Sequence, residues 1–415
     1  MTGSDGAELL EFDEARRRIL ERIEPVTDRQ TLALSEALGR VLAESVAARV
    51  DVPGHDNSAM DGFALRAADT GRAPARLALV GDSFAGHPFT GMVGPGECVR
   101  IMTGGVLPAG ADSVVMQEKC SRDGETIRVS EPVEAGHHVR RADEDFARGA
   151  TVLPADHYLR PADLGVLASV GVAQVDVYRR PRVGFFSTGD ELRGLGETLE
   201  PGQIYDSNRY ALQALVQSLG LTFVDYGVVR DEPAALRDAF DQASRECDAL
   251  ITSGGVSVGA ADYVVDILRE LGEIGFWKVA VKPGKPFAFG RMNGAAFFGL
   301  PGNPVSAVVG FMQYVRPALV RMSGAQPADA LRFTARLSGP LRKSPGRLEF
   351  QRGRLDMAAD GQPTVTPFGH QGSGVLRSMS QADCFLVLEP DSGDRAASDA
   401  VTVEPFSQPV WGFVS

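Results

Sequence analysis

Between about residues 180 and 325 short apolar runs alternate with segments of helical period: "RVGFFST", "SNRYALQALVQSLG", "LTFVDYGVV", "PAALRDAFDQAS", "DALITS", "DYVVDILREL", "AAFFGL" and "PVSAVVGFMQYVRPALV". That alternation constrains the chain more than any other feature. Apolar runs too short for helices read as buried strands, and periodic segments between them read as covering helices, which implies right-handed βαβ units around a mostly parallel sheet. In such sheets the ligand crevice lies outside the carboxyl ends of the strands. Three loops follow apolar strands here, "STGDEL", "SGGVSVGAAD" and "PGNPVS", so one crevice can collect all three.

The flanking sequence has other periods. The first 45 residues hold two amphipathic segments, one with Leu9, Phe12, Ile19 and Ile23 and one with Leu34, Leu38, Val41 and Leu42, both read as helices. From about 46 to 145 runs such as "ARLALVGDS" and "DSVVMQEK" alternate between Gly and Pro punctuation, as small β-strands do. "LRPADLGVLASVG" returns to helix, with Pro161 suited to a first turn, and is expected to pack on the opening helices. The last 85 or so residues revert to short strands. The expected fold is multidomain α+β: residues 1–45 with 146–179 as a helical linker domain, 46–145 as an inserted β domain, 180–327 as the central α/β domain and 328–415 as a C-terminal β domain. A chain of 415 residues is long for one core, which agrees.

Composition excludes several functions. With 42 basic and 54 acidic residues the net charge of −12 disfavours general nucleic-acid binding. No apolar run is long enough to span a bilayer and no secretion signal opens the sequence, so a cytoplasmic protein is expected. Cys98, Cys120, Cys247 and Cys384 form no CxxC pair, and only His137 and His138 are adjacent, which makes a zinc site or disulfide framework unexpected.

"TSGGVSVGAADYV" combines Ser253, Gly254, Gly255 and Ser257 ahead of Asp262 and a helix start. Glycines let a backbone approach a ligand, and free N–H groups at a helix start favour an anion such as phosphate. A tight turn without a ligand would use glycine too, so that loop alone leaves both readings open. In "PGNPVS", Asn303 can cap a helix with Pro304 in its first turn. Between these loops "FWKVAVKPGKPFAFG" carries Lys278, Lys282 and Lys285 on a loop stiffened by two prolines, read as cations aimed at an anion. Asp190 and Glu191 stand in the first loop, Asp231 in "VVRDEP" and Asp262 in the second loop, the oxygen ligands magnesium uses beside phosphate. "DVPGHDNSAMDGFAL" clusters Asp56, Asn57, Ser58 and Asp61 among apolar residues, and spacing gives it no role.

"DVPGHDNSAMDGFA", "RIMTGG", "FSTGDEL", "IYDSNRYAL", "ITSGGVSVGAADYV", "FWKVAVKPGKPFAFG", "GLPGNPVSA" and "EFQRG" stand in this order in a sequence that resembles, over essentially its whole length, the molybdopterin molybdenumtransferases, among them bacterial molybdenum-insertion enzymes and the gephyrin E domain. The resemblance implies a MogA-like, molybdopterin-binding central domain. It implies substrates adenylylated molybdopterin and molybdate, magnesium (Mg2+) as cofactor, release of AMP, and delivery of active molybdenum cofactor. Carried over by motif, Asp61, Thr103, Asp145, Glu191, Asp231, Asp262, Lys278 and Lys282 would be catalytic, with Glu191, Asp231 and Asp262 on the metal. Arg140, Ser253, Gly254, Gly255, Ser257, Lys285, Pro301, Gly302, Asn303, Pro304 and Arg352 would bind the pterin substrate. The resemblance further implies a homodimer with shared sites, the "DNSAMDG" region of one chain facing the crevice of the other, and contact with the pathway adenylyltransferase. One departure is Asp143, at a position usually glycine in this family. An adenylyltransferase would need only the equivalent of residues 180–325, and a clustering scaffold would need a linker and second module, so the flanking domains and retained carboxylates favour the molybdenum-inserting enzyme.

Overall fold

The computed structural model describes residues 9–255 and 261–406; the side chains of residues 261–263, 265 and 277 fall outside that description. The chain divides into two compact units, one of Met1–Gln30, Gly39–Val41 and Tyr178–Ser415, the other of Thr31–Leu38 and Leu42–Val177.

The first unit is built on a six-stranded sheet in the order Thr222–Val229, Arg182–Thr188, Ala249–Ser253, Ala295–Leu300, Pro286–Met292, Gly272–Lys278. The first four run parallel, as the alternation requires, with Val183 opposite Ala249 and Ala249 opposite Ala296. Pro286–Met292 runs antiparallel to both of its neighbours, so Gly272–Lys278 points the same way as the first four. The sheet is thus more mixed than expected, because most of the segment read as a lysine loop is strand. Its reversal is made at Asn293 and Gly294, both at positive φ (44° and 91°), the two-residue turn that matches strand twist.

Period-2 alternation sorts each central strand onto two cores. Val183, Phe185, Ala249, Ile251, Phe298 and Leu300 face one, Phe186, Leu250 and Phe297 the other. The first core also takes Phe12, Ala15 and Ile19 of the opening helix Phe12–Arg22, which recur at helical spacing. It continues into Leu348, Phe350, Phe385 and Val387 of the C-terminal domain. There Leu348–Met357, Pro363–Pro367, Phe333–Leu337, Ala400–Pro405 and Cys384–Leu388 pair in sequence and close through a second pairing of the first with the last, a small barrel. Val281–Lys282 adds to its edge, parallel to Leu348–Glu349. The α/β and C-terminal domains therefore share both a core and a strand pairing.

The second unit contains a six-stranded sheet around Gly62–Leu65 and Glu97–Ile101, with Phe63, Leu65, Cys98 and Val115 buried on one side. The second amphipathic segment does not form the expected helix. It gives the strand Arg29–Ala33 and a single tight turn at Leu34–Glu36, and Gly39 at φ 71° breaks any helical continuation. The helix Pro161–Ser169 packs by Leu167 with Ala37 and Leu42 of that segment, while the opening helix belongs to the other unit. Asp143 adopts φ 59°, the left-handed conformation that glycine supplies freely and that Asn and Asp tolerate better than most residues, so the departure from the family pattern is compatible with a backbone that glycine would favour.

Candidate active site at the strand ends

The carboxyl ends of the parallel strands in the first unit open into a cavity of about 700 Å3. Each of the three expected loops contributes: Gly189 and Glu191 from the first, Ser253, Gly254 and Gly255 from the second, Pro301, Gly302, Asn303 and Pro304 from the third. Asn208, nearly buried, ties two of them together, donating from Nδ2 to Ser253 Oγ at 2.7 Å and to the Gly302 carbonyl at 2.8 Å. The Gly254 N–H donates to the Leu300 carbonyl at 3.1 Å.

Gly254 stands at φ 90°, and a Cβ there would overlap the Thr188 carbonyl oxygen and lie 3.0 Å from the Thr188 hydroxyl. Gly255, at φ 68°, would bring a Cβ to 2.9 Å from that hydroxyl. The absent side chains make room for the neighbouring strand end. Fold geometry thus accounts for these two glycines without a ligand. Gly302 differs, because a Cβ there meets nothing closer than the Gly254 Cα at 3.9 Å.

Acids gather on one side of the cavity. Burial, and then the charges of Asp190 and Glu191, hold the Asp231 carboxyl above its ordinary range. Its Oδ1 is buried without a hydrogen bond of sound geometry, and the Thr188 hydroxyl close to the carboxyl offsets only part of the upward push. Glu191 folds back over Gly189, where a Cβ would come within 2.5 Å of its Oε2. A buried unpaired oxygen amid like charges favours a cation. Two carboxylates fit magnesium, which commonly takes one or two from a protein and completes its shell with water and substrate oxygens. Among the described residues no group of three His, Cys, Asp or Glu is arranged to hold a metal ion. The third expected ligand, Asp262, has its side chain outside the described residues, as does Ser257 entirely.

The remaining expected residues are placed differently. Lys282 Nζ pairs with the buried Glu349 at 3.1 Å, and none of Lys278, Lys282 and Lys285 lines the cavity. Asn303 occupies the cap position of the helix Pro304–Gly310, but its side chain forms no capping bond. The Val305 N–H, one of those such a cap would serve, already donates to the Ser373 carbonyl at 3.0 Å. Arg352 is fully buried and donates to Ser378 Oγ at 3.0 Å and to the carbonyls of His370 and Gly372 at 3.3 and 3.0 Å. Burial brings its guanidinium down to a pKa of about 10. Arg352 therefore grips the loop that continues through Ser373 to Gly374 and Leu376, two residues of the cavity wall.

Asp61, Thr103, Arg140 and Asp145 belong to the second unit. Thr103 donates to Asp61 Oδ1 from its N–H at 2.8 Å and its hydroxyl at 2.7 Å, holding the Asp61 carboxyl below its usual range. Arg140 pairs in register with Asn57, and the Asp145 N–H donates to the Val52 carbonyl at 2.9 Å. Asp56 accepts from Arg141 Nη1 and the Ala142 N–H, both at 2.8 Å, so the "DNSAMDG" acids are held by the "VRRADED" segment and by Thr103.

Sequence reasoning passed over Tyr205, Asp206 and Asn208, which also line the cavity. "YDSN" ahead of an apolar helical period does signal an N-cap at Asp206, but no periodicity reports what its second oxygen faces.

Three family models match the chain: the MoeA N-terminal region (domain I and II) at residues 10–171, the "Probable molybdopterin binding domain" at 184–321, and the MoeA C-terminal region (domain IV) at 334–406. A molybdopterin molybdenumtransferase of Haemophilus influenzae is 43% identical over 402 residues, 96% of this chain and 99% of that protein. One from Nostoc is 36% identical over 379 residues, 89% of this chain and 87% of its own length. The crystal structure of the molybdopterin biosynthesis moeA protein from Pyrococcus horikoshii superposes with a TM-score of 0.84 at 30% identity, covering 96% of this chain and all of the other. The chain belongs to the molybdopterin molybdenumtransferase family and is an enzyme of molybdenum cofactor biosynthesis.

Proposed function

We propose that the strand-end cavity takes adenylylated molybdopterin, and that with magnesium and molybdate the protein cleaves the adenylyl bond, releases AMP and yields the molybdenum-loaded pterin. The observation that carries this reading is Asp231, a carboxylate with a buried unpaired oxygen in a cavity it shares with Glu191. Those two would hold magnesium, with Asp262 as a third ligand. When bound, the ion supplies positive charge to the oxygens of the diphosphate-type bond as it breaks. The protein's own share is positioning. The Pro301–Asn303 loop bounds the cavity, Asn208 holds it to Ser253, and Arg352 fixes the Gly374–Leu376 wall. Lys278, Lys282 and Lys285, none of which lines the cavity wall, would have to reach in from outside it to neutralise the anionic substrates, Lys282 exchanging Glu349 for substrate. Purified protein given adenylylated molybdopterin, magnesium and molybdate is expected to release AMP in time, and to stop when either inorganic component is withheld. Consumption of ATP with formation of the adenylylated pterin would instead make it the pathway adenylyltransferase.

We further propose a cytoplasmic homodimer with shared sites, receiving substrate from that adenylyltransferase. Among the described residues no helix is long and apolar enough to cross a membrane. The sharing is what the resemblance to the family implies, with Asp61 in one unit of the chain and Lys282 in the other. Asp61→Ala and Lys282→Ala proteins, each inactive alone, should recover up to about a quarter of parental activity after subunit exchange, because random pairing restores one intact site in half of the dimers. No recovery after demonstrated exchange would mean that each site is built from one chain.

A further inference from the structure

Asp206 is 4% exposed and opens the helix Ser207–Ser218. One of its oxygens is used: Oδ1 accepts from the Arg209 N–H at 3.1 Å, the helix cap. The other, Oδ2, is buried with no hydrogen-bond partner, and Asp206 lines the strand-end cavity. A buried carboxylate oxygen left unpaired is costly, since a charged group out of water needs donors around it. The same cavity is lined by Tyr205, whose hydroxyl donates to the Glu197 carbonyl at 2.8 Å, and by Ile204 and Leu376, so it offers flat and apolar walls as well as the carboxylate. The first N–H groups of a helix have no partner within it, so the helix start adds donors next to the acceptor.

We propose that Asp206 Oδ2 receives the aminopyrimidinone edge of the pterin ring. That edge presents an exocyclic NH2 and an adjacent ring N–H, two donors side by side, next to a carbonyl oxygen. An acceptor carboxylate beside helix-start N–H groups is its complement. Adenine, the other ring of the adenylylated substrate, carries one exocyclic amino group with unprotonated ring nitrogens beside it, which would oppose the carboxylate. The assignment rests on the reading of the cavity as the pterin site and names the residue that distinguishes the two rings.

Asp206→Asn provides the test. Asn caps helices as well as Asp does, so the fold is kept, while the amide turns the free acceptor into a donor facing donors. Molybdopterin binding, followed anaerobically by isothermal titration, is expected to weaken about 10- to 100-fold. AMP binding should be unchanged, as should the magnesium concentration needed for half-maximal turnover. Asp206→Ser, which keeps a cap but offers a neutral hydroxyl, should fall between the two. If Asp206→Asn is folded and binds molybdopterin like the parent, the assignment is wrong and the pterin site stands. A change confined to AMP affinity or to magnesium demand would overturn the assignment equally. If the parent itself binds no molybdopterin, the reading of the cavity fails, and this assignment with it.

Discussion

Asp231→Asn is expected to abolish most AMP release, by about 100- to 1,000-fold, while raising the thermal midpoint of the protein. The two effects have one cause. Burial and the neighbouring Asp190 and Glu191 raise the Asp231 pKa in the folded protein above the ordinary 3.8. Between the unfolded and folded values the native state binds more protons than the unfolded one, so this group's contribution to stability falls as pH rises through that window. Above it the ionised carboxylate opposes folding by a constant amount, which Asn removes. The gain in midpoint should therefore be full above the raised folded value and vanish below about pH 3.8, where both states are protonated. Magnesium supplies a readout apart from turnover: it should raise the midpoint of the parent and do so much less for the variant, because a ligand stabilises only the state that binds it. Equal stabilisation of both proteins, or undiminished turnover, would remove Asp231 from the metal site.

Gly254→Val should act mainly on the fold. Its φ of 90° is one that non-glycine residues adopt only under strain, at a cost of about 1–3 kcal/mol, and overlap with the Thr188 carbonyl adds about 1–3 kcal/mol more. A loss of about 2–6 kcal/mol corresponds to a fall of roughly 10 °C in the midpoint of a unit this size. Gly302→Ala separates structure from ligand approach. Its new methyl meets only the Gly254 Cα at 3.9 Å, so its midpoint should match the parent, and any loss of substrate affinity would come from crowding in the cavity. A Gly254→Val protein that melts with the parent would show that the loop can move away from Thr188, and the account of that glycine would fail.

The alternation of apolar runs and helical segments was sufficient to give the four parallel strands, the helices covering them and the crevice at the strand ends, because periodicity of 2 or 3.6 is a local property that any window of sequence displays. The Asn-Gly pair at 293–294 between two apolar runs carries a hairpin signal that was passed over, because proline and lysine in the preceding stretch suggested a loop. The helical pattern through Leu34 and Leu42 misled because Gly39 breaks it. The motifs identified the family, whose model matches and relatives agree. What each polar group does was decided only in three dimensions. Lys282 is committed to Glu349 on another domain, Arg352 is buried against three carbonyl and hydroxyl oxygens, and the Val305 N–H expected to be open to a cap is taken by Ser373. Asp206 is an ordinary helix cap until the cavity gives its second oxygen a face. Hydrophobic pattern is written along the chain, whereas the satisfaction of a buried hydrogen-bonding group depends on partners brought from distant parts of it, and so it is fixed only when the tertiary structure closes.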